Sequence, residues 1–136
     1  MTTKAFGIAE LIRHISYNAT TDKVETSKKM ETSGASRSNS KSAASTNAEN
    51  LVTFAKATYR SAILRVQATQ GSNYHTSTFV VIHDNTTTYD TEFATVRSGS
   101  SLFSITSDIS GNNVRIRTTA DSASTTYKFS IEYVEA

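Results

Sequence analysis

Tyr127, Phe129, Ile131 and Tyr133 alternate with Lys128, Ser130 and Glu132, and this period of two constrains the chain more than any other feature. Successive side chains of a strand point to opposite faces, so the segment predicts a strand with one face buried and one in water. A helix would scatter the same four apolar residues around its circumference. Ala62, Leu64, Val66 and Ala68 repeat the pattern against Ile63, Arg65 and Gln67. A strand predicted from Thr76 to His83 holds the unbroken apolar run Phe79-Val80-Val81-Ile82, which reads as a strand covered on both faces. Thr88 to Arg97, with Tyr89, Phe93 and Val96, predicts another strand; Leu102-Phe103-Ser104-Ile105 and Val114-Arg115-Ile116-Arg117 complete the series. Turn chemistry separates these runs at Asp84-Asn85, Ser98-Gly99-Ser100 and Ser110-Gly111-Asn112-Asn113. The pattern predicts a mainly β fold, an antiparallel sandwich or jelly roll of about eight strands over residues 51–136.

The first 50 residues read differently. Ile8, Leu11, Ile12 and Ile15 have the i, i+3, i+4, i+7 spacing of one helical face, which predicts a short helix over 4–16 whose apolar stripe docks on a partner. Ile15-Ser16-Tyr17 and Lys23-Val24-Glu25-Thr26 flank a polar stretch suited to a hairpin loop. Residues 27–50 are low in complexity, rich in Ser, Thr, Ala, Asn and Lys, and predict an extended arm that orders only where a partner supplies the burial it lacks. The domain organisation expected is an assembly region over 1–50 and a sandwich over 51–136.

Composition narrows the function classes. Thr and Ser contribute 22 and 20 of 136 residues, and hydrophobic residues only 37%, so the core is thin and relies on neighbouring subunits. With no cysteine there is neither a disulfide nor a thiolate metal site. No apolar run reaches the length of a membrane helix, and Ala5 to Ala9 is interrupted by Glu10 too soon for a secretory signal. A net charge of +2 with scattered Lys and Arg gives no field to collect nucleic acid. The absence of proline leaves any open strand edge to be guarded by other means.

Candidate chemistry is sparse. His75 and His83 share a strand and, by parity, a face, with Asp84, Asp90 and Glu92 near in sequence; a metal would need three ligands converging on one point, and the plainer reading is a strand-end His beside a turn Asp. No Gly-x-Ser-x-Gly elbow frames a nucleophile, and no phosphate loop or dinucleotide fingerprint is present, so no catalytic residue, metal or cofactor is expected. Arg60, Arg65, Arg115 and Arg117 project outward by alternation and form a candidate polar rim for a neighbouring subunit. Ile8, Leu11, Ile12 and Ile15 are the candidate apolar anchors. Tyr127, Phe129 and Tyr133 read as core; a sugar-binding module would instead expose Tyr74, Tyr89 or Tyr127 on a concave face.

One resemblance adds to this. Phe54 to Ala62, Val66 to Gly71, Tyr74 to Ser77, Val80 to Asp84 with Asn85-Thr86-Thr87, Glu92 to Thr95, and Asp108 to Gly111 with Asn113-Val114-Arg115, in that order, resemble a family of small β-rich virion structural proteins of tailed phages, especially marine and cyanobacterial ones. The likeness covers roughly 54–134. Asn85 stands where such proteins often carry Gly. The resemblance implies a non-enzymatic virion component, made in the host cytoplasm. It implies a capsid decoration or cement protein first, with a tail, neck or fibre-base part as the alternative. Homo-oligomers, trimers as the first guess, and contacts with major capsid or tail proteins would follow.

Overall fold

The computed structural model describes the backbone of residues 15–18, 23–26 and 34–136, and side chains from Asn39 onward. The chain divides into two units, 1–32 and 33–136. In the first, β1 (Ile15–Asn18) and β2 (Lys23–Thr26) form an antiparallel hairpin in which Ile15 pairs with Thr26 and Asn18 with Lys23. This is the expected hairpin. Ile15, expected in a helical stripe, is part of a strand; Ile8, Leu11 and Ile12 lie outside the described residues, as does the rest of that helix.

The second unit is an antiparallel sandwich. One sheet runs β3 (Gly34–Ser42), β10 (Thr126–Glu135), β5 (Tyr59–Gln70), β6 (Asn73–His83), β7 (Thr88–Arg97). The other runs β4 (Ala48–Ala55), β9 (Asn113–Ala120), β8 (Phe103–Ser110). The alternation places Leu64, Val66, Phe79, Val81 and Ile131 of the large sheet in one cluster with Val114, Ile116 and Ile105 of the small one. An aromatic group closes the core at either end. Phe54 meets Tyr133 edge-on at 5.3 Å while Tyr59 stacks on Tyr133 at 4.6 Å. At the other end Phe103 lies 4.2 Å from the His75 ring and 5.7 Å from Tyr127, centroid to centroid.

The arm expected over 27–50 is corrected for its second half. Residues 34–42 pair with β10 from Gly34↔Val134 to Ser42↔Thr126, and β4 begins at Ala48. The intervening turn is built on Glu49, whose carboxylate accepts the amides of Ala44 (3.0 Å) and Ser45 (2.7 Å) and meets Lys41 at 3.4 Å. An edge strand satisfies its backbone on one neighbour and needs few apolar side chains, so a Ser-rich segment suffices.

Two hairpins turn on glycine. Gly71 and Gly111 each hold φ +58 at the first position of two-residue loops closed by Gln70↔Asn73 and Ser110↔Asn113, the place where a type II′ turn needs glycine. Ala94 does the same within β7 without being glycine, at φ 52. Its strand is bulged there, with register slipping between Thr76 and Thr78 so that Ala94 and Thr95 together face Ser77. The left-handed conformation costs an L-residue about 1–2 kcal/mol, part of which glycine returns as backbone entropy. Ala94→Gly should therefore raise the unfolding free energy by about 0.5–1 kcal/mol, and Gly111→Ala should lower it by about 1–2 kcal/mol, measured by urea denaturation.

Candidate interaction surface

The strand that sets this surface is β7, and its polarity is inverted. On β5 and β10 the buried face is apolar, with Ala62, Leu64, Val66 and Ala68 on β5 and Tyr127, Phe129, Ile131 and Tyr133 on β10. On β7 the register fixes the opposite. Tyr89 pairs with Ile82, Thr91 with Val80, Phe93 with Thr78 and Val96 with Thr76, all on the outer face. Asp90, Glu92 and Arg97 pair with the inward residues Val81, Phe79 and His75.

Polar contacts on the inner side hold this arrangement. The buried Ser77 hydroxyl donates to Glu92 at 2.6 Å and lies 3.2 Å from the Thr95 hydroxyl. Ser107 of β8 bonds the Asp90 carboxylate across the two sheets. His75, 1% exposed, has the Leu102 amide 3.3 Å from Nδ1 and the Arg97 Nε 3.3 Å from Nε2, and its neutral ring accepts only one of the two N–H groups. The bulge makes this last contact possible, because without the extra residue at Ala94 the parity of Val96 and Arg97 would be exchanged.

The result is an exposed apolar field on the outer face. Ile82 is 49% exposed, Tyr89 57%, Phe93 50% and Val96 64%, with Ile63 and Tyr74 beside them and Val134 in the same row as Ile82. The Phe79–Ile82 run, expected to be covered on both faces, is buried through Phe79 and Val81 only. No strand or loop among the described residues covers Ile82.

The other candidate residues serve local structure. The His83 Nε2–H donates to the Tyr59 carbonyl at 2.8 Å and its Nδ1 accepts the Asn85 amide at 3.1 Å, which spends both ring nitrogens on backbone. Asp84 caps its loop, accepting the amides of Thr86 (2.8 Å) and Thr87 (2.7 Å), the Thr86 hydroxyl and Tyr89 Oη. Those hydrogen bonds, led by the Thr86 hydroxyl, hold its carboxyl far below the usual range. Asn85 takes the left-handed φ of 79 that asparagine tolerates. His75 and His83 share a face but sit at opposite ends of β6, and among the described residues no three His, Asp or Glu side chains gather as a metal set.

Of the four arginines read as an outer rim, three are engaged within the chain. Arg60 donates to the His83 carbonyl at 3.1 Å. Arg115 forms a bidentate pair with Asp108 at 2.6 Å and 2.6 Å, and Arg117 donates to the Ala48 carbonyl at 2.9 Å. Of the four, Arg65 alone is exposed, and it stands on the outer face beside the apolar field. Tyr74 and Tyr89 are accessible, whereas Tyr127 is core; the first two stand about eight residues apart along β6, roughly 26 Å, too far for one sugar. A shallow depression of about 320 Å³ beside Tyr74 is lined by Gln67, Val96 and Arg97. Among the described residues no helix is long and apolar enough to cross a membrane.

No protein-family model matches the chain, and no curated protein matches it. Among the solved structures that match the chain are two phage tailspike proteins. One is the tailspike protein of Acinetobacter baumannii phage AM24, at 8% identity over 76% of this chain with TM-score 0.43. The other is the tailspike protein of Acinetobacter phage vB_ApiP_P1, at 20% identity over 89% of this chain with TM-score 0.36. This chain spans 26% and 24% of their lengths, and at these TM-scores neither likeness carries an argument about function.

The His75 contacts have a pH consequence. A neutral imidazole has one lone pair for two N–H donors and an imidazolium has none, so burial first, and the Arg97 charge second, hold its pKa below the usual 6.5. The unfolded chain therefore binds the proton more readily. Stability is fully present above that usual value and is lost as pH falls toward the folded value. The urea midpoint should drop between about pH 8 and pH 5.5, and His75→Gln should lower the midpoint at pH 8 while shrinking that drop. An undiminished drop in the variant would assign the pH dependence elsewhere.

Proposed function

We propose that this chain is a non-enzymatic structural component of a tailed-phage particle, joined to its neighbours through the outer face of β6 and β7. The observation that carries the reading is the inverted edge strand. An outward row of Tyr89, Phe93 and Val96, held there by polar contacts beneath, is costly in water and useful only when covered. The resemblance of residues 54–134 to small virion proteins supplies the kind of assembly. The histidines and acids that an enzyme would need in a cleft are instead bonded to loops and strand ends.

Position within the particle has two forms. A tail, neck or fibre-base part and a capsid-decorating part both need an exposed apolar face; tailspike is what both similar structures are called, and capsid decoration is the other form. Immunogold labelling of purified particles with antibody against the chain should mark the virion. Gold on the tail would make it a tail component, and gold on the head a decoration protein. Purified particles that lack the chain would overturn the reading.

A further inference from the structure

We infer that the outer face of β5, β6 and β7 is the contact between two copies of this chain, meeting through the same patch on each. This deepens the assembly reading and rests on it, since it names the partner of that surface. Three observations lead here. The first is the pattern of β6: Phe79-Val80-Val81-Ile82 is the sequence of a strand covered on both faces, and the fold covers only one.

The second is area. Ile63, Tyr74, Ile82, Tyr89, Phe93 and Val96 are each about half exposed, so together with their neighbours they present roughly 600–700 Å² of apolar-residue surface. That exceeds the largest patch of most monomers, about 300–600 Å². It approaches the roughly 800 Å² that each partner contributes to a stable interface.

The third is the charge beside the patch. Arg65, Lys128 and Glu132 stand exposed on the same outer face, and none makes an ion pair among the described residues. A partner of one charge sign would leave either Glu132 or the pair Arg65 and Lys128 unanswered. A second copy, turned about a two-fold axis, brings Glu132 toward the basic side of its mate and closes the contact at two.

Light scattering on the full chain tests this. The wild type should be a dimer. Phe93→Asp and Ile82→Asp should each be monomeric with unchanged far-ultraviolet circular dichroism, while Ser104→Asp, on the outside of the small sheet, should stay dimeric. Because an aspartate could disturb folding, a milder Val96→Thr variant should weaken dimerisation several-fold without altering the spectrum. A monomeric wild type, or dimers that survive both aspartate variants, would overturn the inference. A monomeric chain that still labels particles would leave the assembly reading standing; a dimer absent from particles would do the reverse.

Discussion

The hydrogen bond from the buried Ser77 hydroxyl to Glu92 is the contact on which the rest of the surface depends. Strand pairing alone does not choose which face of an edge strand turns inward; a slip of one residue exchanges them. Beside β7 the inward row of β6 mixes Phe79 and Val81 with the polar Ser77 and His75, and the observed register brings Glu92 and Arg97 to the two polar ones. Asp90 then reaches Ser107 of the small sheet, and the open flank of the sandwich is fastened by polar contacts. Tyr89, Phe93 and Val96 face outward as the consequence.

This arrangement divides the sandwich. Its interior is conventional, with Leu64, Val81, Val114 and Ile116 fully buried and an aromatic group at each end. Burying such residues is worth about 1.5–3 kcal/mol apiece, which lets the fold hold together with a thin core. The β3 edge is polar and Ser-rich, while the β7 edge carries an apolar outer row. The two edges of one sheet thus differ in kind, in their side chains and in the bulge that β7 carries at Ala94.

The sequence makes the core easy to read and the edge hard. Period-two alternation locates β5 and β10, the bounds expected for Thr88–Arg97 match β7, and the glycine turn after Ser110 is a glycine turn. The facing of β7 is hidden because the bulge that sets it sits on Ala94, and nothing in an alanine announces a left-handed φ. Phe93 and Val96, three apart, look as if they lie on opposite faces until the bulge is known. The strand at 34–42 is hidden for another reason: its partner, β10, is about ninety residues away, and a segment held by backbone pairing carries no apolar period. The arginines show the limit of alternation, which places Arg65, Arg115 and Arg117 outward but gives Arg60 the inward parity of Ala62 and Leu64, and which does not reveal that Asp108 and two backbone carbonyls engage three of the four.

The most direct test of this account is a double-mutant cycle on Ser77 and Glu92, with Ser77→Ala, Glu92→Gln and the pair compared by urea unfolding. A hydrogen bond from a buried hydroxyl to a carboxylate that fixes the strand should give a coupling of about 1 kcal/mol or more. Additive effects of the two substitutions would mean that β7 is held by something else, and that the outward facing of Phe93 and Val96 needs another cause.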